Sequence, residues 1–218
     1  MLSRWRTLWR QRRARPLAGQ CLKDFWALGK GTQISDYRGF IVVDCEMTGL
    51  NAAKDELLSI GWVRLSHQRI EMRSAKHRLV KSGVSVGQSA TIHLIRDCEL
   101  QKGHNIDDVL RELLTDALGF LPVFHNASLD LAFLNGAVEH AFGAPWWPSY
   151  VDTLLNEKRL SERHTEVPKS GALTLAQSRR RYNLPDYQGH NAMVDAIATA
   201  ELLLAQIKKG VTISPLWS

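Results

Sequence analysis

Asp44 and Glu46 stand two residues apart in GFIVVDCEM (39–47). In a strand, such residues project from the same face, so both carboxylates point one way and Cys45 the other. Two acids on one face, directly after the apolar run Ile41-Val42-Val43, repel each other and lose solvation unless a cation neutralises them. The pair suits hard divalent ions such as Mg²⁺ or Mn²⁺; alone, it reads equally well as solvated acids at a strand end. HNASLDLAF (125–133) places Asp130 in the first turns of a helix after the strand LPVF. There the helix dipole stabilises a carboxylate aimed back at the strand end. Singly, Asp130 is ordinary first-turn decoration and His125 a satisfied structural histidine. In GHNAMVDA (189–196), five residues separate His190 from Asp195, a spacing that on one helix puts them on different faces. It makes sense if Gly189 leaves His190 on a mobile loop while Asp195 is already helical, a base that swings toward water beside a fixed metal ligand. Singly, the fragment reads as a helix start with an incidental histidine. Together, four acids and one histidine, each at a strand end or helix start, meet the needs of two-metal phosphodiester hydrolysis. That chemistry uses ions about 3.5–4 Å apart, one generating the nucleophile and one stabilising the departing oxygen.

The elements that must position these groups are legible in the pattern. The β-branched run in 39–47 marks a central strand buried on both faces. Segments 57–65 and 70–80 read as second and third strands, joined by a polar turn at Ser66-His67-Gln68. A helix is expected over 105–118, with Asn105 as its cap. LPVFHN (121–126) is a short fourth strand with a helix over 128–142 after it, and YVDTLL runs from a final strand into a helix. Two further helices are expected over 172–182 and about 190–208. A meander of strands followed by strand–helix alternation predicts an α/β fold, a five-stranded mixed sheet flanked by helices.

VVDCEMTGL, HNASLDLAF and HNAMVD resemble the three motifs of the DnaQ-like DEDDh 3′–5′ exonucleases, in the right order over about residues 38–208. Relatives in that family include the polymerase III epsilon subunit, RNase T and exonuclease X. The joint pattern is specific, whereas each part alone is weak. The resemblance implies a ribonuclease-H-like fold. It implies that Asp44, Glu46, Asp130 and Asp195 organise two divalent ions, Mg²⁺ or Mn²⁺, and that His190 is the general base. It further implies that Thr48, Gly49 and Leu50 hold the terminal sugar and wedge against the last base. Ile92-His93 resembles an element lying over the terminal nucleotide, although Leu94 replaces the usual glycine. Asp152-Thr153-Leu154 resembles a strand-to-helix junction of structural role. The expected activity is release of 5′-mononucleotides from single-stranded 3′ ends, with DNA favoured. The EMTG at 46–49 also resembles oligoribonucleases, which keeps RNA-end trimming as the alternative. A non-catalytic nucleic-acid-binding or polymerase-associated subunit is a third reading, but its signature, a missing acid or histidine, is not met.

Composition narrows the rest. The chain has 218 residues, enough for one sizeable core, and a net charge of +6. Residues 1–23 hold seven Lys and Arg and no acid, leaving 21 basic against 22 acidic groups in the remainder. Basicity therefore belongs to an arm, and bound cations must supply local charge at a phosphate site on the body. Residues 1–30 read as that arm, 31–210 as the exonuclease domain and 211–218 as a short tail. Trp5, Leu8 and Trp9 at helical spacing predict an amphipathic helix that packs this face on the body and leaves its arginines in solvent. Contact with nucleic acid or an anionic membrane, or a transit peptide, are the alternatives. The tail is expected to tuck onto its own domain, and it is shorter than one that would tether a proofreading subunit; a polymerase or replication protein stays a candidate partner. Three cysteines without CxxC exclude a disulfide framework and a thiolate zinc site and place the chain in a reducing, cytoplasmic setting. No run suggests a membrane span.

Overall fold

A computed structural model describes residues 2–16, 18–29, 31, 33–82, 100–163 and 171–217. The strands are β1 (Phe40–Met47), β2 (Leu57–Ser66), β3 (Arg69–Leu79), β4 (Leu121–Phe124), β5 (Ser149–Asp152) and β6 (Leu216–Trp217). They form one mixed sheet ordered β3-β2-β1-β4-β5-β6. β1 pairs antiparallel with β2 and parallel with β4; β5 runs parallel to β4 and β6 antiparallel to β5. The helices are α1 (Leu2–Ala14), α2 (Gln20–Leu28), α3 (Ile106–Asp116), α4 (Ala127–Phe142), α5 (Thr153–Arg163), α6 (Leu175–Arg180) and α7 (Ala192–Lys208).

Local chemistry explains the boundaries. His67 and Gln68 turn β2 into β3 with φ of 49° and 58°, the left-handed pair a two-residue hairpin requires. Asn105 caps α3 by accepting the Asp107 N–H at 2.8 Å. Among the described residues the sheet has six strands rather than five. Residues Leu216–Trp217 add to the β5 edge at Ser149 and Tyr150, and a two-residue strand is too short to show any periodicity. The helix expected over 172–182 is confined to Leu175–Arg180, starting at the Thr174 cap.

Alternation along β1 sorts its side chains between two cores. Ile41, Val43 and Cys45 pack with α2, α3 and α4, whereas Val42 packs with β2 and with Ala200 and Leu203 of α7. Asp44 and Glu46 share the face of Val42, so they look toward α7. Within residues 1–30, α2 places Leu22, Phe25 and Trp26 in the main core.

Of the expected inward face of α1, Leu8 is half-buried but Trp5 and Trp9 turn outward. Thr7 and Gln11 are the buried residues, and Gln11 Nε2 donates to the Trp147 carbonyl at 2.8 Å. Arg4 and Arg10 lie over the rings of Trp217 and Trp147. Trp5 and Trp9 stay 67% and 58% exposed. Beside Ala14, which packs on the main core, polar and cation–π contacts hold the helix, and these are invisible to a reading based on apolar spacing.

Candidate active site

The β1–β2 ladder pairs Asp44 with Gly61 and Glu46 with Ser59. Its register breaks between Glu46 and Met47, an irregularity of the kind that ends pairing and redirects a chain next to a site. Across the sheet face, α7 arrives against Gly61. A Cβ on Gly61 would lie 2.2 Å from the Ala192 and Met193 backbone. Only glycine permits this approach, and it sets the start of α7 beside the strand partner of Asp44. Asp195, in the first turn of α7, thereby reaches the β1 acids. Carboxylate oxygens of Asp44, Glu46 and Asp195 lie within 4.8 Å of one another.

Asp130 stands beside this trio without joining that cluster. Its Oδ1 accepts the Cys45 N–H at 3.1 Å, between the two β1 acids. Burial pushes its carboxyl up to about 8, against the opposing pull of the Cys45 hydrogen bond. Asp44 is held well above the usual carboxylate range by burial first, then by the charges of Asp130, Asp195 and Glu46. Asp195 is raised by burial and by Glu46, while the main-chain N–H groups of His190 and Asn191 oppose the shift. The donor set is carboxylate oxygen alone, and it is frustrated without counter-charge. Both properties fit a hard divalent cation.

His190 is exposed, with φ of +68°, on the loop ahead of α7. It stands outside the helix that carries Asp195, as the spacing predicts. The two residues are joined by the His190 N–H, which donates to Asp195 Oδ2 at 2.8 Å. Asn191 caps α7 through the Val194 N–H. The cleft in front, about 480 Å³, is lined by Asp44, Glu46, His125, Arg179, Tyr187, His190 and Asp195.

Thr48, Gly49 and Leu50 form the turn after β1. Asp55, which the motif pattern does not single out, organises that turn. It accepts from Thr48 Oγ1 at 3.4 Å and from the Asn51 N–H at 2.8 Å. It also lies where a Cβ on Gly49 would fall, 2.5 Å away. Leu50 is left 80% exposed. His93, with Ile92 and Leu94, lies outside the described residues. His125 is structural: its ring nitrogens meet Thr153 Oγ1 and the Leu173 carbonyl, each at 2.9 Å. Asp152 caps two helices, accepting from Ala127 N–H at the start of α4 and Leu154 N–H at the start of α5.

Arg179 is a second residue that sequence reasoning does not find. Only 3% exposed, it donates to the carbonyls of Ala198 and Pro185 and to Glu201. Its guanidinium lies 4.6 Å from the Tyr187 ring centre. It thus fastens the His190 loop to α7. Nothing in the run Arg179-Arg180-Arg181 distinguishes it from its solvent-facing neighbours.

The RNase_T exonuclease model matches residues 41–203, a span that includes all four acids and His190. The chain is 30% identical over 166 residues to a PolC-type DNA polymerase III of Thermotoga petrophila, covering 76% of this chain and 12% of that protein. It is also 30% identical over 193 residues to a DNA polymerase III subunit epsilon-like protein of Rhodobacter capsulatus, covering 85% and 27%. It therefore spans only an eighth to about a quarter of these relatives. Among solved structures, the nuclease domain of 3′hExo, a DEDDh family member bound to rAMP, is similar at a TM-score of 0.69 and 14% identity. That likeness covers 83% of this chain and 96% of the other. Exonuclease X with 5′ overhanging duplex DNA is similar at 0.59 and 20%, covering 79% and 94%. These likenesses carry the ribonuclease-H-like fold, and the family match over residues 41–203 shows that the chain belongs to the RNase_T exonuclease family.

Proposed function

We propose that this chain hydrolyses the terminal phosphodiester at the 3′ end of single-stranded nucleic acid, with DNA favoured, and releases 5′-mononucleotides. The observation that carries this reading is the convergence of Asp44, Glu46 and Asp195 within 4.8 Å beside an exposed histidine. In this reading Asp44, Glu46, Asp130 and Asp195 hold two divalent ions, Mg²⁺ or Mn²⁺. When bound, such ions activate the attacking water and neutralise charge on the phosphate and the departing oxygen. His190 takes the proton of the attacking water at a ring nitrogen, and its loop position lets the ring approach from the solvent side. Asp195 fixes the His190 main chain through Oδ2 and would offer its carboxylate to a bound ion. The Thr48-Gly49-Leu50 turn, braced by Asp55, receives the terminal sugar, and the exposed Leu50 side chain packs on the last base. The preference for DNA rests on the polymerase III names of the relatives; their assemblies also make a replication protein the candidate partner. RNA trimming is the second reading, favoured by the EMTG sequence at 46–49 and by the likeness to 3′hExo with rAMP.

The test uses 3′- and 5′-labelled DNA and RNA oligomers with Mg²⁺, with Mn²⁺ and with chelator. Metal-dependent mononucleotide release from the 3′ end, faster on DNA, is the expected result. Faster release from RNA selects the second reading. No release from either polymer under any metal overturns both.

A further inference from the structure

We propose that the outward face of α1 is a second docking surface for single-stranded nucleic acid, separate from the catalytic cleft. The helix is already held by its inward face through Thr7, Gln11 and Arg4. Its outward face is therefore free of any structural duty among the described residues. At 3.6 residues per turn, Arg12, Trp5, Trp9, Arg13 and Arg6 follow one another around a sector of roughly 120°. All five are exposed. Two indoles one turn apart are thus flanked by guanidinium groups on both sides, and Arg13 lies 4.7 Å from the Trp9 ring centre. Residues 1–23 contain no acid, so nothing in this segment offsets the charge.

A helix that served only to cover the core would turn its tryptophans inward; two exposed indoles mark a recognition surface. The complementary partner must be anionic and must offer flat apolar faces between its charges. Single-stranded nucleic acid has this alternation: bases stack on aromatic rings and phosphates take arginine. An anionic bilayer shares the charge but rewards contiguous apolar area. Here the apolar stripe is two residues long and is interrupted by Arg12 and Arg13.

The position of α1 decides which strands reach it. It rests on β6 and on Trp147 ahead of β5, near the N-terminal end of the parallel strands. The carboxylates lie at the C-terminal end of β1. A strand whose 3′ end is in the cleft must pass round the body to touch α1, so only long strands gain from it. This inference rests on the exonuclease reading for its biological sense, but binding tests it independently.

The experiment compares the full-length protein with Trp5→Ala/Trp9→Ala and with Arg6→Gln/Arg12→Gln/Arg13→Gln. It measures anisotropy of labelled dT5 and dT40 in chelator across a salt series, with hydrolysis of dT5 in Mg²⁺ alongside. The tryptophan variant should bind dT40 roughly five-fold or more weakly for each base stacked. The arginine variant should flatten the salt slope by about 0.7 for each phosphate that it no longer neutralises. Melting temperature and dT5 hydrolysis should stay at the parent values. Unchanged dT40 affinity in both variants overturns the proposal. So does a loss confined to binding of vesicles containing phosphatidylglycerol, which would assign the face to a membrane. If dT5 is never hydrolysed, the exonuclease reading fails while dT40 binding still decides the role of α1.

Discussion

Asp195 Oδ2 accepts the main-chain N–H of His190 at 2.8 Å, so one carboxylate oxygen fixes the residue ahead of the helix while Asp195 also belongs to the acid cluster. In the proposed mechanism the ring of His190, which lines the cleft, is the general base. His190→Ala should lower kcat by roughly 10²–10⁴-fold, the usual worth of a general base. Titrated metal affinity should stay near the parent value, and raising the pH should restore part of the rate by supplying hydroxide. A metal affinity that falls in step with the rate would make His190 a ligand instead.

Asp44, Asp130 and Asp195 all have carboxyls raised above their ordinary range. A raised carboxyl binds its proton more tightly folded than unfolded. The stability that these three groups contribute to the metal-free protein is therefore lost as pH climbs from the ordinary carboxylate range toward about 8, where Asp130 ionises. In chelator, the melting temperature should drop across that window, and Mg²⁺ should reverse the drop. Asp44→Asn or Asp130→Asn should raise the metal-free melting temperature at pH 8 by about 2–4 °C for each kcal/mol of charge burial, and at Asp44 also repulsion, that is relieved. Hydrolysis should nearly vanish in Asp44→Asn. A metal-free melting temperature that climbs from pH 5 to pH 8 would refute the raised carboxyls.

What the sequence made legible divides along physical lines. Residues two apart on a buried strand must share a face, so the Asp44–Glu46 pair and the opposite placement of Cys45 follow from β1 alone. The His190 loop and Asp195 helix follow from a spacing that no single helix satisfies. Arg179, Asp55 and Gly61 were not legible, because each acts on a partner distant in sequence or on the main chain, where side-chain periodicity carries no signal. The α1 orientation failed for a related reason. Apolar spacing predicted Trp5 and Trp9 inward, but the docking contacts are a buried Thr7, the Gln11 amide and arginines over Trp147 and Trp217.

Gly61 offers a test of how α7 is seated. The Ala192 and Met193 backbone occupies the space a side chain would need, at 2.2 Å, and neither main chain can swing aside as a flexible side chain would. Gly61→Ala should destabilise the fold by about 1–3 kcal/mol, the usual range for overpacking. It should also push Asp195 away from Asp44 and weaken metal binding together with activity. Parent-level metal affinity in Gly61→Ala would show that α7 is not seated by this contact.

Arg179 is a positioning residue in this arrangement: it touches no reacting atom, yet it spans α6, the His190 loop and α7. Its guanidinium donates to Pro185 and Glu201 at 2.8 Å each and to Ala198 at 2.6 Å. Tyr187, stacked on it, donates its hydroxyl to Glu201 at 2.9 Å. Lysine retains the charge but loses the planar fork that serves several acceptors at once. Arg179→Lys should therefore keep part of the stability lost in Arg179→Met and still release the loop. Both variants should lower kcat by roughly ten-fold or more with little change in KM, because in the proposed function the Thr48–Leu50 turn, and not Arg179, receives the terminal nucleotide. The pH–rate profile is the readout that separates positioning from packing. A misplaced base should change the shape of the profile, whereas simple loss of stability lowers the whole curve evenly. If Arg179→Lys, folded at the assay temperature, keeps kcat within two-fold and an unchanged profile, the guanidinium stabilises the domain and does not position His190.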